Sequence, residues 1–236
     1  MQVESSQRGA LYMVWGHSHD KLLERSIASL NQYHPELPVH IHRIPGAEDQ
    51  SGSAAMFLAK AAMASISPFE STVYLDADTV VMGNLNFGFE KAEQFGLACA
   101  ICECPWARRY GGLTQMGDLI EYNTGVLFYT SKARSLFYLW EKLVRTVDSA
   151  VRYLDNGVEK VMEHNDQAAF ARAVDMAGVN PFVLPLNWNF RPRWHRCFFG
   201  PIRIWHDVIP PSEDITRINT HYTENPQTIY FDVKLG

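Results

Sequence analysis

The chain has 236 residues, of which 47% are hydrophobic and 12% aromatic, enough for one substantial domain with a large core and too few for two of ordinary size. Its 20% charged fraction argues against disorder, and its net charge of −5 gives no basis for a general nucleic-acid or membrane-surface binder. No apolar run reaches the ~20 residues that span a bilayer, and the opening MQVESSQRGALYMVWG has no charged stretch leading into an apolar one with a small-residue cleavage site, so a cytoplasmic protein without a transmembrane segment is expected.

Strand-like and helix-like patterns alternate, which predicts a layered α/β domain. GALYMVWG (9–16) is a short apolar run bounded by glycines and reads as a buried first strand. From Lys21 to Tyr33, Leu22, Leu23, Ile27 and Leu30 recur at helical spacing, and Pro35 stops the helix. PVHIHRI (38–44) alternates as a second strand does. Residues 53–66 are Ala-rich and free of proline, which predicts one closely packed helix ended by Pro68. STVYLDADTVVM (71–82) reads as a strand interrupted by two carboxylates, and GLACAIC (96–102) and NTGVLFYT (123–130) as further strands. Lys132 to Val147 is an amphipathic helix with Leu136, Leu139, Trp140 and Leu143 on one face. HNDQAAFARAV (164–174) opens another helix, with Asn165 or Asp166 as its cap. The final sixty residues are rich in proline and turn signals, and 176–236 is expected to be irregular and functional. With no repeat and no linker, 1–236 is one domain. Of the four cysteines, Cys197 stands apart, and Cys99, Cys102 and Cys104 form C-x-x-C-x-C where a strand runs into a loop; these three read as small core residues, because a zinc or redox site needs further ligands or a helix start.

Asp76-Ala77-Asp78 is the most informative feature. It follows the β-favouring Val73-Tyr74-Leu75, and in an extended chain residues two apart point to one side. Two facing anions at a strand end are costly without a cation, and a hard divalent ion with oxygen ligands is the natural compensation. The bland reading is that the aspartates only cap and turn the chain. D-x-D alone does not choose between the two.

The surrounding segments choose. SPFESTVYLDADTVVMGNL (67–85) resembles the metal-binding segment of GT-A glycosyltransferases, in particular glycosyltransferase family 8, the glycogenin-like and lipopolysaccharide galactosyl- and glucosyltransferases. GALYMVWG resembles the family's first strand, which contacts the nucleotide base, so Tyr12, Val14 and Trp15 are implied donor contacts. SIASLNQYHPELPV (26–39) resembles the helix and strand that follow. Asn123-Thr124-Gly125-Val126 resembles the loop lining the donor sugar, and Asp166-Gln167 the pair beside the reacting centre. LPLNWNF (184–190) and IWH (204–206) resemble the closing segment, whose histidine is the third metal ligand. The resemblance implies a Rossmann-like mixed central sheet flanked by helices. It also implies a retaining transfer of a hexose from a nucleotide sugar, UDP-glucose or UDP-galactose, to a carbohydrate or other hydroxyl acceptor. The ion would be Mn²⁺, or else Mg²⁺, held by Asp76, Asp78 and His206. Gln167, Asp166 and Asn123 would be catalytic, and Lys60, Asp76, Ala77 and Asp78 would contact the donor.

One departure stands out. In the family the histidine is followed by a glycine and a Lys-Pro-Trp that touch the diphosphate, whereas here His206 precedes Asp207-Val208-Ile209-Pro210-Pro211. Either another cation replaces the lysine or His221 is the ligand instead. Between Asp175 and Asp207 there is no acidic residue, yet Arg191, Arg193, Arg196, Arg203 and His195 fall there; arginine forks suit phosphate oxygens. The same run is also readable as a solvated basic loop whose aromatic residues are packing anchors. Lys60 either reaches the donor or snorkels to solvent; Asn123 either bonds a sugar hydroxyl or shapes the turn. Glu103, Arg108 and Arg109 lie in a loop (103–120) of the sort that selects acceptors. Other readings are a catalytically silent nucleotide-sugar or carbohydrate-binding module, a nucleotide-sugar hydrolase, and a nucleotidylyltransferase. GHSHDK (16–21) argues against the last, because it is not a Gly-rich, arginine-bearing phosphate loop.

Overall fold

The computed structural model describes residues 8–44, 54–102, 120–195 and 197–227. Glu103, Cys104, Arg108, Arg109 and Arg196 lie outside them.

In chain order the elements are β1 (Arg8–Trp15), α1 (Asp20–Tyr33), β2 (Val39–Ile44), α2 (Ala54–Ala61), α3 (Met63–Ile66), β3 (Ser71–Leu75), β4 (Thr79–Val81), α4 (Asn86–Phe95) and β5 (Leu97–Ile101). There follow β6 (Tyr122–Thr130), α5 (Arg134–Leu143), β7 (Val151–Asp155), β8 (Val158–Met162), α6 (Asp166–Ala177), β9 (Phe182–Leu184), β10 (Ile204–His206) and α7 (Glu213–Glu224). Six strands form one mixed sheet in the order β2-β1-β3-β6-β5-β9. β1 runs parallel to β2 and β3, β6 is antiparallel to β3 and β5, and β9 is parallel to β5.

The strands read as continuous apolar runs because helices cover both faces of the sheet. Period-2 alternation splits β1: Leu11 and Met13 pack with Tyr74, Leu127, Trp140 and Phe170 on one face. Ala10, Tyr12 and Val14 pack with Leu30, Val73, Leu75, Phe89 and Phe128 on the other. This is the mixed α/β sheet flanked by helices that the sequence implied. Because the chain goes from β1 outward to β2 and returns on the other side to β3, the sheet has a switch point at the carboxyl ends of β1 and β3, where such sheets hold ligands.

Several sequence expectations change here. The helix expected over 53–66 breaks at Ala62 into α2 and α3. The strand over 71–82 is interrupted at its carboxylates as expected, but the interruption is a turn that changes sheets: Asp76 N–H donates to Gly125 O (2.8 Å), Thr79 N–H to Asp76 O (3.1 Å), and β4 enters a separate ribbon with β10. The last sixty residues are less irregular than expected. They include β9, β10 and the twelve-residue α7, capped by Ser212, whose hydroxyl accepts from Ile215 N–H, with Glu213 and Asp214 at the positive end of its dipole. Met82, Phe190, Phe198, Trp205, Ile215 and Tyr222 form a third small core beneath that helix. Hence Phe190, Phe198 and Trp205 of the basic run are packing anchors, while Trp194 is exposed and lies with two of the run's arginines in the cleft described below. The antiparallel hairpin β7–β8 packs mainly on itself and exposes Leu154, Val158 and Val161. Among the described residues no helix is long and apolar enough to cross a membrane.

Candidate active site

Asp76 and Asp78 converge through a turn, not through the alternation of an extended strand. Thr79 closes that turn, its hydroxyl as well as its N–H donating to the Asp76 carbonyl. Ser26 on α1 bonds the Thr79 hydroxyl at 2.8 Å and the Tyr12 hydroxyl at 3.0 Å, tying the turn to the sheet beneath it. Arg25, also on α1, donates to the carbonyls of Asp207 and Val208 (both 2.8 Å), and Asp207 N–H donates to Asp78 O at 3.1 Å. The β4–β10 ribbon then carries His206 back over the turn.

The ligand-type atoms of Asp76, Asp78 and His206 lie within 4.8 Å of one another, the one such grouping among the described residues. His206 Nε2 is 3.3 Å from Asp78 Oδ1 and 3.8 Å from Asp76 Oδ2. Burial opposes a charged imidazole, but Asp78 and then Asp76 outweigh it and raise the His206 pKa. The same pairing, against burial, holds the Asp78 carboxyl well below the usual range. Two carboxylates and an imidazole are a donor set for a divalent ion such as Mn²⁺. The backbone leaves room for it: a Cβ on Gly125 would stand 2.3 Å from His206 Cε1 and 2.7 Å from Asp76 Oδ2. His221, the alternative ligand, is on α7, beside Asn225 just beyond the helix end, and is not in the grouping.

Beside the triad lies a chain of buried polar groups. Lys60 Nζ sits 3.2 Å from both Asp76 Oδ1 and Asp166 Oδ2. The lysine is buried, which disfavours its charge, yet Asp166 and Asp76 together raise its pKa. It does not snorkel. Thr124 donates to Asp166 Oδ2 at 2.6 Å, and Tyr74 to Asp76 Oδ1 at 2.6 Å. Asn165, not Asp166, caps α6: its side chain accepts from Gln167 N–H at 2.8 Å. Asp166 is the helix's first residue and points to Lys60. Gln167 Nε2 reaches Cys102 Sγ at 3.3 Å, so Cys102 borders the site, whereas Cys99 is the buried core residue and Cys197 is exposed.

Three cavities of similar size meet at the triad. One of about 250 Å³ is walled by Met13, Val14, Trp15, Leu22, Ala77 and Asp78. A second, about 230 Å³, has Arg191, Arg193 and Trp194 beside Asp78 and His206. The third, about 250 Å³, is polar, with Lys60, Asp76, Asn123, Asp166, Gln167 and Arg191. Two residues expected to touch the donor are elsewhere. Tyr12 is fully buried on the α1 side of β1, its hydroxyl bonded to Ser26, because alternation turns it away from Met13 and Trp15. Arg203 lies against Gly83 in a larger cavity of about 540 Å³ among α1, β4 and α7, apart from the acidic triad. That cavity holds neither aspartate nor the histidine, and size alone does not make it the reactive one. Tyr74, two residues before Asp76, was legible by alternation. Arg25 and Asn189 had no sequence signal of their own.

The fold is shared with solved glycosyltransferases of the GT-A type. Mouse xyloside xylosyltransferase 1, in its apo form, aligns with a TM-score of 0.58 at 16% identity, over 87% of this chain and 100% of that one. The galactosyltransferase LgtC, in complex with donor and acceptor sugar analogs, gives 0.55 at 13% identity, over 95% and 98%. A glycosyltransferase involved in glycosylation of the major capsid of PBCV-1 gives 0.54 at 12% identity, over 92% and 100%. At these identities the likeness establishes the fold. No family model and no curated protein matches the chain by sequence.

Proposed function

We propose that the protein is a metal-dependent glycosyltransferase of the family 8 kind, moving a hexose from a UDP-glucose- or UDP-galactose-like donor to a hydroxyl acceptor with retention. The observation that carries this reading is the convergence of Asp76, Asp78 and His206 where an apolar, a basic and a polar cavity meet. Those three compartments suit the three parts of a nucleotide sugar: a flat base beside Val14 and Trp15, a diphosphate beside Arg191 and Arg193, and sugar hydroxyls in the polar cavity.

Asp76, Asp78 and His206 would hold Mn²⁺, with Mg²⁺ the second choice; when bound, such an ion neutralises the charge that grows on the departing diphosphate. Arg191 and Arg193 supply forked donors for phosphate oxygens, in place of the lysine that does not follow His206. Asn123 Oδ1 is already occupied by Gly125 N–H and Asn189, so its amide nitrogen is what remains for a sugar hydroxyl. Asp166 is held by Thr124 and Lys60, which makes it a poor nucleophile and a good anchor for a sugar hydroxyl. Exchange on a single face of the sugar follows. The bond from the anomeric carbon to the diphosphate oxygen breaks as the acceptor oxygen bonds that carbon, and the acceptor's proton passes to the departing phosphate. Gln167 lines the polar cavity, and its side-chain oxygen would stabilise positive charge at the sugar centre.

The test is nucleoside diphosphate release from a panel of nucleotide sugars with Mn²⁺, then with chelator, then with Asp78→Ala. Chelator is expected to abolish release, and Asp78→Ala to lower it more than about 100-fold, the usual scale for removing a preorganised group that faces developing charge. Release indifferent to both would end this reading. Donor binding without turnover across a broad acceptor panel would favour a silent module, and hydrolysis indifferent to acceptor a hydrolase.

A further inference from the structure

Behind His206 runs a short relay of amides whose directions can be read one after another. Gly125 N–H donates to Asn123 Oδ1 at 2.9 Å, and a backbone N–H cannot reverse its role. Asn189 Nδ2 donates to the same oxygen at 2.8 Å. The other end of the Asn189 amide, its Oδ1, therefore faces His206 Nδ1 at 2.7 Å. An amide oxygen only accepts, so this ring nitrogen carries the hydrogen. In a neutral ring the lone pair is then on Nε2, the nitrogen turned toward Asp78 and Asp76. Turning the Asn189 amide over would set two acceptor oxygens against each other. Asn123 and Asn189 are 3% and 2% exposed, so water does not offer either amide an easy alternative partner.

We propose that Asn189 is a positioning residue that sets the tautomer and the aim of His206, with its own direction imposed through Asn123 by the backbone of Gly125. The assignment rests on reading Asp76, Asp78 and His206 as a cation site, and it gives LPLNWNF a task that its sequence does not disclose. A metal-binding imidazole is ordinarily oriented in this way by an acceptor on its other nitrogen, and loss of that acceptor typically weakens metal binding by about 10- to 100-fold.

The experiment uses the full chain without nucleotide and has two readouts besides activity. Long-range ¹H–¹⁵N spectra of the histidine rings, with His206 assigned from His206→Gln, report the tautomer at a pH where the ring is neutral. Electron paramagnetic resonance titration reports Mn²⁺ affinity. Wild-type protein is expected to show an Nδ1–H ring. Asn189→Leu is expected to shift that ring toward Nε2–H and to weaken Mn²⁺ by about 10- to 100-fold. Asn189→Asp keeps an acceptor for Nδ1–H and is expected to retain the wild-type tautomer, at a lower stability because its second oxygen faces Asn123 Oδ1. An Nε2–H ring in wild type overturns the proposal, and that readout stands even if Asn189→Leu does not fold. Unchanged tautomer and affinity in a folded Asn189→Leu protein overturn it too. Wild-type protein that binds no Mn²⁺ removes the cation site itself and so overturns both readings, whereas tight binding by wild type and Asn189→Leu alike removes only the relay.

Discussion

Gly125 is where the site has least tolerance. Its missing side chain lets the β6 backbone pass directly beneath Asp76 and His206 while its N–H orients Asn123. Gly125→Ala would set a methyl 2.3 Å from His206 Cε1, closer than any relaxed contact, with no flexible chain end to move aside. The variant is expected to keep its secondary structure and to lose about 10- to 100-fold in Mn²⁺ affinity, the range seen when a ligand's support is disturbed. Calorimetric titration checks this; wild-type affinity would mean that the imidazole is not held where the geometry places it. Lys60 is a second case at this scale. It is the nearest cation to both Asp76 and Asp166, so Lys60→Met leaves the buried Asp166 and the half-buried Asp76 without their shared partner. Breaking a buried pair from one side costs about 3–5 kcal/mol, and urea unfolding in chelator is expected to show a loss of that order.

Two elements bring distant stretches to the triad. The β4–β10 ribbon delivers His206 to a turn 128 positions earlier in the chain, with Ile204 opposite Val81 and His206 opposite Thr79. Helix α6 presents Asp166 and Gln167 from its first turn, and Trp140 on α5 holds that turn by donating from Nε1 to the Asp166 carbonyl at 3.2 Å. Asn165 supplies the cap. Asn165→Ala is expected to destabilise the protein by about 1 kcal/mol through the lost cap, read as a lower denaturant midpoint at unchanged slope. Turnover is expected to fall by more than that loss of folded protein explains, because the same turn carries two groups assigned to the sugar.

At the scale of the whole molecule the cleft gathers residues from β1, α2, the β3–β4 turn, β6, α6 and β10. UDP at 100 times its dissociation constant is expected to stabilise the Mn²⁺-loaded fold by about 2.7 kcal/mol, because a ligand that binds only the folded chain shifts the equilibrium by mass action. A thermal-shift assay checks this, and chelator or Asp78→Ala should erase the gain. What the sequence by itself determined was whatever depends on neighbours along the chain. Alternation and helical spacing marked β1, α1, β6, α5 and α6, and an ordered set of short segments pointed to the GT-A fold and to the aspartate pair. Long-range closure lay beyond its reach. That Asp76 and Asp78 meet through a turn and not along a strand follows from hydrogen bonds to Gly125 and Thr79. Tyr12 is sealed in the core, and Arg191, not Arg203, faces the cleft. Asn189 aims the histidine. Each of these depends on which backbone groups remain to be paired once the sheet has closed, and that is decided only when segments far apart in sequence come into contact.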